Sequence, residues 1–96
     1  TAEQSLEAIR QTQALLAGLL HFDAEAMEGP MRHLAGELGL KAGQLFSIVR
    51  NAVTGKEVSP PLFGSIAALG RAKTLKRLEV AEEVLVEHIE AQGKEA

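Results

Sequence analysis

Apolar residues recur every three or four positions along most of the chain, and this spacing restricts the fold more than any other feature. The clearest run lies near the middle: Leu45, Ile48, Val49, Ala52 and Val53. These five positions fall on one face of a helix, whereas the apolar residues of a half-buried strand would alternate. Aromatic residues make up only 3% of the chain, which is low for a β-sandwich or barrel. The pattern predicts an all-α protein.

Glycines, prolines and capping residues divide this pattern into segments. We predict helices over about 2–20, 23–38, 41–54, 62–69 and 71–91. Thr1 and Gln4 are placed to form a capping box, and Asp23 is placed to cap the second helix. The expected architecture is a multihelical bundle or cage of about five to six helices.

Prolines mark two places where the helical pattern is interrupted. Pro30 lies inside the second predicted helix, so we expect a kink or a break near Glu28–Gly29. Two consecutive prolines cannot sit inside a helix but can begin one. The segment from Gly55 to Pro61 is therefore predicted to be a structured loop, followed by a short helix.

The length and the missing residue types limit the class of protein. A chain of 96 residues makes one small domain, so residues 1–96 are treated as a single unit. No cysteine is present, which excludes disulfides and thiolate metal ligands within the chain. No leader-like or membrane-spanning run is visible, and we expect a cytoplasmic protein without a membrane partner. The lack of an initial Met predicts a fragment of a longer chain.

Charge is distributed unevenly although the net charge is only −3. Residues 1–40 carry a net charge of −4, residues 41–77 carry +6, and residues 78–96 carry −5. The basic centre holds seven lysines and arginines against one glutamate. If folding places those bases on one face, that face forms a docking site for a polyanion.

The residue patterns of common catalytic and metal sites are missing. His21, His33 and His88 lie far apart, so surface or half-buried positions are expected for them rather than metal coordination. No G-x-S-x-G, P-loop or G-x-G-x-x-G motif occurs. The glutamates of the last predicted helix are interpreted as its solvated face. We expect no catalytic residue, no metal site and no cofactor in this chain.

One block, residues 40–78, contains four short motifs in a fixed order. The first three are Lys41–Gln44 (K-x-G-Q), Val49–Gly55 (V-R-x-A-x-T-G) and Ser59–Phe63 (S-P-x-L-F). The fourth begins with Leu69-Gly70 and ends with Leu75–Leu78. In this order and spacing they resemble the distal anticodon-binding region of bacterial glutamyl-tRNA synthetases, which are class I aminoacyl-tRNA synthetases. The close resemblance is confined to this block, and the preceding residues match only in helical character.

The resemblance implies a C-terminal helical-cage domain that reads the anticodon of glutamate tRNA, with residues 41–77 facing the tRNA. Carried onto the matching positions, the anticodon contacts are Arg50, Ser59, Pro60 and Leu62. The chemistry is consistent with this assignment. Arginine and serine offer hydrogen bonds to the exposed edges of unpaired bases, while proline and leucine offer apolar surface on which a base can lie.

Each of these assignments has a structural alternative. Arg50 could be an ordinary solvated residue of an amphipathic helix, and Pro60 could serve only to begin a helix. Of the two apolar residues that follow the prolines, we expect Phe63 to lie in the core and Leu62 to be partly exposed. The remaining basic residues of the block are predicted to contact phosphates, or only to keep the protein soluble. They are Lys41, Lys56, Arg71, Lys73, Lys76 and Arg77.

The resemblance also implies what this chain lacks. A synthetase catalytic domain is absent, so ATP and Mg²⁺ would bind elsewhere in a parent glutamate–tRNA ligase, and this fragment would not itself be an enzyme. The expected partners are the tRNA(Glu) anticodon loop and the rest of the synthetase chain. The alternative function is a helical protein-interaction domain whose acidic terminal helices dock a partner. A DNA-binding helix-turn-helix is disfavoured because the helix after Pro61 is too apolar to read bases.

Overall fold

The computed structural model describes residues 1–55 and 61–95. This part of the chain forms five α-helices and contains no strand. The helices are α1 (Ala2–Gly18), α2 (Ala24–Glu37), α3 (Ala42–Thr54), α4 (Leu62–Leu69) and α5 (Arg71–Glu95). The predicted all-α class and the order of the helices are confirmed, and α5 continues past its predicted end near Ala91.

Side chains cap the first two helices as the sequence predicts. The Thr1 hydroxyl accepts a hydrogen bond from the backbone N–H of Gln4 at 3.1 Å, and the Gln4 side chain completes the capping box. The Asp23 carboxylate accepts a hydrogen bond from the backbone N–H of Ala26 at 2.8 Å. The first-turn N–H groups of a helix have no partner within the helix, so these contacts define where α1 and α2 begin.

Glycine in the left-handed conformation ends both α2 and α3. Gly39 has a φ of 72°, and its N–H donates to the carbonyl of Gly36 at 3.1 Å. The next N–H, that of Leu40, donates to the carbonyl of Ala35 at 2.9 Å. Gly55 likewise has a φ of 72° at the end of α3. Residues with a Cβ rarely adopt this conformation, so these glycines set the lengths of the two helices.

Of the predicted kink or break at Pro30, the break does not occur, since α2 continues through the proline, and the kink stays a prediction. Pro30 is exposed, whereas Met27 and Met31 on either side of it are fully buried and Leu34 is nearly so. Burying a large apolar side chain stabilises the fold by about 1.5–3 kcal/mol, and a proline inside a helix costs about 3 kcal/mol. The free energy gained by burying Met27, Met31 and Leu34 therefore exceeds the cost of placing a proline inside α2.

Helix α3 lies at the centre of the bundle and packs against each of the other four helices that the structure describes. Its apolar stripe is buried as predicted: Leu45, Val49 and Val53 are fully or almost fully buried, and Ile48 and Ala52 pack at the edge of the core. The opposite side of α3 is thereby turned outward, where it can contact a ligand.

Helices α1 and α5 pack against each other in antiparallel orientation. Arg10 Nε of α1 lies 2.8 Å from Glu82 Oε2, and Gln13 Nε2 donates to Glu82 Oε1 at 2.9 Å. The hydrogen bond from Arg10, followed by that from Gln13, lowers the pKa of the Glu82 carboxyl. This group links the two acidic parts of the chain near the middle of α1 and α5.

One glycine inside α2 and one just after it provide a matched test of the left-handed end. We expect Gly39→Ala to lower the free energy of unfolding by about 1–2 kcal/mol, because its φ of 72° disfavours a Cβ. Gly36→Ala should instead raise it by roughly 0.5–1 kcal/mol, since Gly36 is helical and open space surrounds its Cα. Urea denaturation followed by circular dichroism measures both changes. Equal effects of the two substitutions would contradict the assignment.

The contact made by Glu82 predicts a pH-dependent stability. Because its pKa is lowered on folding, the contribution of Glu82 is present above the ordinary value of 4.5 and is lost as the pH falls through the folded value. We expect Glu82→Gln to be less stable than the wild type at neutral pH by at most about 1 kcal/mol, because the pair is partly exposed.

The difference between Glu82→Gln and the wild type should shrink as the pH falls below 4.5. Urea denaturation over a pH series measures it, with Glu83→Gln at the adjacent exposed position as the control. A difference that stays constant at every pH would show that Glu82 contributes through its shape rather than its charge.

Candidate nucleic-acid interface

An open depression of about 400 Å³ lies where α2, α3 and the start of α4 meet. Both basic and aromatic side chains line it. Those that matter below are Glu28 and Arg32 of α2, Phe46 and Arg50 of α3, and Pro61 and Phe63 at the start of α4. A concave surface with arginines and aromatic rings suits unpaired bases, which are recognised by stacking and by hydrogen bonds to their edges.

Arg50, the predicted base contact, lies on α3 one turn before the helix ends. It is half-buried and lines the depression together with Pro61. Its backbone carbonyl accepts a hydrogen bond from the Thr54 hydroxyl at 2.7 Å, within the last turn of α3. The predicted arginine therefore shares this surface with Pro61, and its role in anticodon binding stays a prediction.

Three of the predicted contacts fall between α3 and α4. Lys56, Ser59 and Pro60 lie outside the described residues, and their roles stay predictions. The described chain resumes at Pro61, which is exposed and lines the depression. The residue that follows Ser59 and Pro60 in the sequence thus lines the depression.

The predicted exposure of Leu62 was wrong. Leu62 is only 3% exposed and belongs to the core, together with Ile66 one turn later on α4. Phe63, which was predicted to lie in the core, is only partly buried and lines the depression. Because α4 begins at Leu62, the helical turn directs Leu62 and Ile66 to the same inner face and rotates Phe63 away from it by about 100°.

An aromatic and basic cluster in the depression was missed in the sequence. The Phe46 and Phe63 rings meet edge to face, with their centroids 5.0 Å apart and an interplanar angle of 84°. The Arg32 guanidinium lies 5.5 Å from the centroid of Phe46, within range of a cation–π contact. Arg32 belongs to the acidic first part of the chain, so charge distribution gave no reason to assign it here. The sequence feature that bears on Arg32 is its spacing of four residues from Glu28, which makes the two side chains neighbours on one helix face.

Two of the predicted phosphate contacts bind backbone carbonyls at the ends of other helices. An Nη of Arg71 donates to the carbonyl of Leu19, just after α1, and its guanidinium lies 5.2 Å from the ring centroid of Phe22. Arg77 Nη1 donates to the carbonyl of Val53 in the last turn of α3 at 2.7 Å. The Val53 carbonyl lies at the negative end of the α3 dipole, which a guanidinium neutralises, while Arg71 binds the chain where it leaves α1.

The other described lysines of the block are exposed on separate parts of the surface. Lys41 precedes α3, roughly 13 Å from Arg50 along the helix axis at the usual rise per residue. Lys73 and Lys76 lie on α5, where Lys76 Nζ is 3.8 Å from Glu79 Oε1. The basic block is therefore divided between internal contacts and several surface positions, and the phosphate contacts stay predictions.

The three histidines are exposed, in agreement with their interpretation from the sequence. His33 Nε2 lies 3.3 Å from Glu37 Oε1 on the same helix. Within residues 1–55 and 61–95, no group of three or more His, Cys, Asp or Glu side chains is arranged to hold a metal ion. None of the described helices is both long enough and apolar enough to cross a membrane.

Comparison with known families identifies the domain. Residues 1–82 match the family model described as "Anticodon binding domain". The chain belongs to this family. The match covers α1 to α4 and the first half of α5, so it includes every described residue that lines the depression.

The chain is also similar to bacterial glutamate–tRNA ligases. It is 46% identical over 87 residues to that of Roseiflexus sp. (strain RS-1), a match covering 91% of this chain and 17% of the relative. It is 48% identical over 81 residues to that of Dehalococcoides mccartyi (strain BAV1), covering 84% of this chain and 17% of the relative. For Roseiflexus castenholzii the identity is 44% over 94 residues, covering 97% and 18%. The anticodon binding domain thus spans less than a fifth of these relatives, and no solved structure matches it.

The helix-end contact of Arg77 predicts a structural role for this residue in the anticodon binding domain. We expect Arg77→Ala to lower the free energy of unfolding by about 1 kcal/mol, because the carbonyl of Val53 loses a charged donor. Lys76→Ala removes the same charge from the adjacent exposed position and should change it by less than about 0.5 kcal/mol. Urea denaturation of both variants measures this, and equal losses would contradict a specific role for Arg77.

Proposed function

We propose that this domain binds the anticodon loop of tRNA(Glu) and serves as the anticodon-reading part of a glutamate–tRNA ligase in translation. Membership of the anticodon binding domain family supports the binding role. Identities of 44–48% to glutamate–tRNA ligases over most of the chain support the choice of tRNA. The same findings give no support to the alternative of a protein-interaction domain.

The observation that carries the proposal is the position of Arg50. Its half-buried side chain and Pro61 line one depression that also contains two aromatic rings. Guanidinium donors beside apolar and aromatic surface match the chemistry of bases that are turned out of a single-stranded loop. In this proposal Arg50 binds base edges, Ser59 adds a hydroxyl, and Pro60 supplies apolar surface. Leu62 is left out because its side chain is buried.

The proposal divides the basic residues by role. Lys41, Lys56, Lys73 and Lys76 would contact phosphates at the edge of the bound loop, while Arg71 and Arg77 chiefly stabilise helix ends. Phosphate contacts make binding salt-dependent but not base-specific. Affinity for a loop with scrambled bases therefore measures the phosphate contribution separately.

The parent enzyme is proposed on the same grounds. A glutamate–tRNA ligase containing this domain would use ATP and Mg²⁺ in a catalytic domain, and the anticodon domain would supply only tRNA recognition. Such an enzyme would act in the cytoplasm. Arg50 and the other side chains of the depression are suited to recognising bases, so the role proposed for these 96 residues is binding.

Binding to an anticodon stem-loop tests the proposed function. We expect the fragment to bind a stem-loop with the glutamate anticodon more tightly than one with scrambled anticodon bases. Arg50→Ala should weaken binding to the first by about tenfold, as loss of a base-reading arginine typically costs about 1–3 kcal/mol. NMR chemical shifts report both the affinity and the residues in contact.

Arg10→Ala provides the charge-matched control. Arg10 lies on α1 and pairs with Glu82, away from the depression. This variant should retain the preference for the glutamate anticodon. Equal affinity for the two stem-loops, or shifts confined to the acidic face of α5, would overturn the proposed function.

A further inference from the structure

Arg32 has an arrangement that an ordinary surface arginine lacks. Its guanidinium carbon lies over the Phe46 ring, 5.5 Å from the ring centroid. Phe46 is in turn held edge to face by Phe63 at 5.0 Å. The Arg32 side chain is nevertheless 57% exposed and lines the depression. The guanidinium thus lies near an aromatic ring, and more than half of the Arg32 side-chain surface stays accessible.

Glu28 forms an ion pair with the guanidinium of Arg32. Its Oε2 lies 3.5 Å from Arg32 Nε, one helical turn away on α2. A carboxylate and an aromatic ring beside an arginine favour the side-chain conformations that contact both. These two contacts favour a conformation in which Arg32 lines the depression, so its side chain has less conformational entropy to lose on binding.

The charges around Arg32 favour a base over a phosphate as its ligand. Glu28 pairs with Arg32, and Glu25 lines the same depression. A phosphate placed against this pair would be repelled by the carboxylates, whereas a neutral base would not be. Stacking on a guanidinium plane needs only a flat ligand and is compatible with the ion pair between Arg32 and Glu28.

We propose that Arg32 stacks on an unpaired nucleobase, forming a layered contact of Phe46, guanidinium and base beside Arg50. This inference rests on the proposed function, because the base belongs to the loop that Arg50 binds. It adds α2 to an interface that the sequence assigned to residues 41–77. Phe46 and Glu28 act as positioning residues, and Arg32 supplies the surface that touches the base.

Comparing two substitutions of Arg32 separates stacking from phosphate binding. We expect both Arg32→Lys and Arg32→Ala to weaken binding to the glutamate anticodon stem-loop by about tenfold, because lysine keeps the charge but has no plane. The dependence of affinity on salt should be the same for the wild type and Arg32→Ala. Arg10→Ala removes the same charge elsewhere and should leave the affinity nearly unchanged.

The position of the stacked base can be found directly. A fluorescent adenine analogue placed at each unpaired loop position in turn should be quenched on binding the wild type at one position, and that quenching should be lost with Arg32→Lys. If Arg32→Ala does not fold, Phe46→Leu tests the same layer by removing its aromatic ring while keeping an apolar side chain. Circular dichroism establishes that each variant is folded.

Three results would overturn the inference while leaving the proposed function intact. The first is wild-type affinity in both Arg32 variants. The second is wild-type affinity in Arg32→Lys alone, and the third is an affinity that depends less on salt in Arg32→Ala than in the wild type. The second and third results indicate a phosphate contact. In each case the wild type still prefers the glutamate anticodon and Arg50→Ala still loses that preference. Failure of the proposed function differs, because the wild type itself then shows no preference.

Discussion

Burial of the apolar stripe of α3 is the interaction on which the rest of the structure depends. Among the described helices, α3 alone packs against all four others, and its Leu45, Val49 and Val53 are fully or almost fully buried. Once that stripe faces inward, the helical period places Phe46 and Arg50 together, one turn apart, on another side. The depression is therefore a consequence of how the core is filled.

The basic part of the chain serves two purposes that its charge alone does not separate. Neither α1 nor α3 has a basic residue in its last turn. Carbonyls at these two ends are instead bound by Arg71 and Arg77 of α5. Because these guanidiniums stabilise helix ends, residues 41–77 carry a large excess of positive charge although few basic side chains lie beside the depression. Surface charge therefore has to be judged from side-chain contacts.

Much of the fold and part of the site could be predicted from the sequence. Capping at Thr1 and Asp23, the left-handed glycines and the stripe of α3 all depend on residues close together in the chain, so local patterns identify them. The assignment of Arg50 to the interface came from a motif. Leu62 and Phe63 were misassigned because their exposure depends on the angle at which α4 meets the core, which a motif does not specify.

The sequence by itself determined the helices, most of their limits and the family, since periodicity, caps and motif order are all properties of neighbouring residues. Only the tertiary structure decided three further points. Helix α2 passes through Pro30, and Arg71 and Arg77 bind carbonyls at helix ends. The Arg32 guanidinium lies within cation–π range of the Phe46 ring. Each of these results from contacts between residues distant in the chain, or from burial of Met27 and Met31 against other helices. The free energies of these contacts become favourable only when separate helices pack together, so no local sequence pattern predicts them.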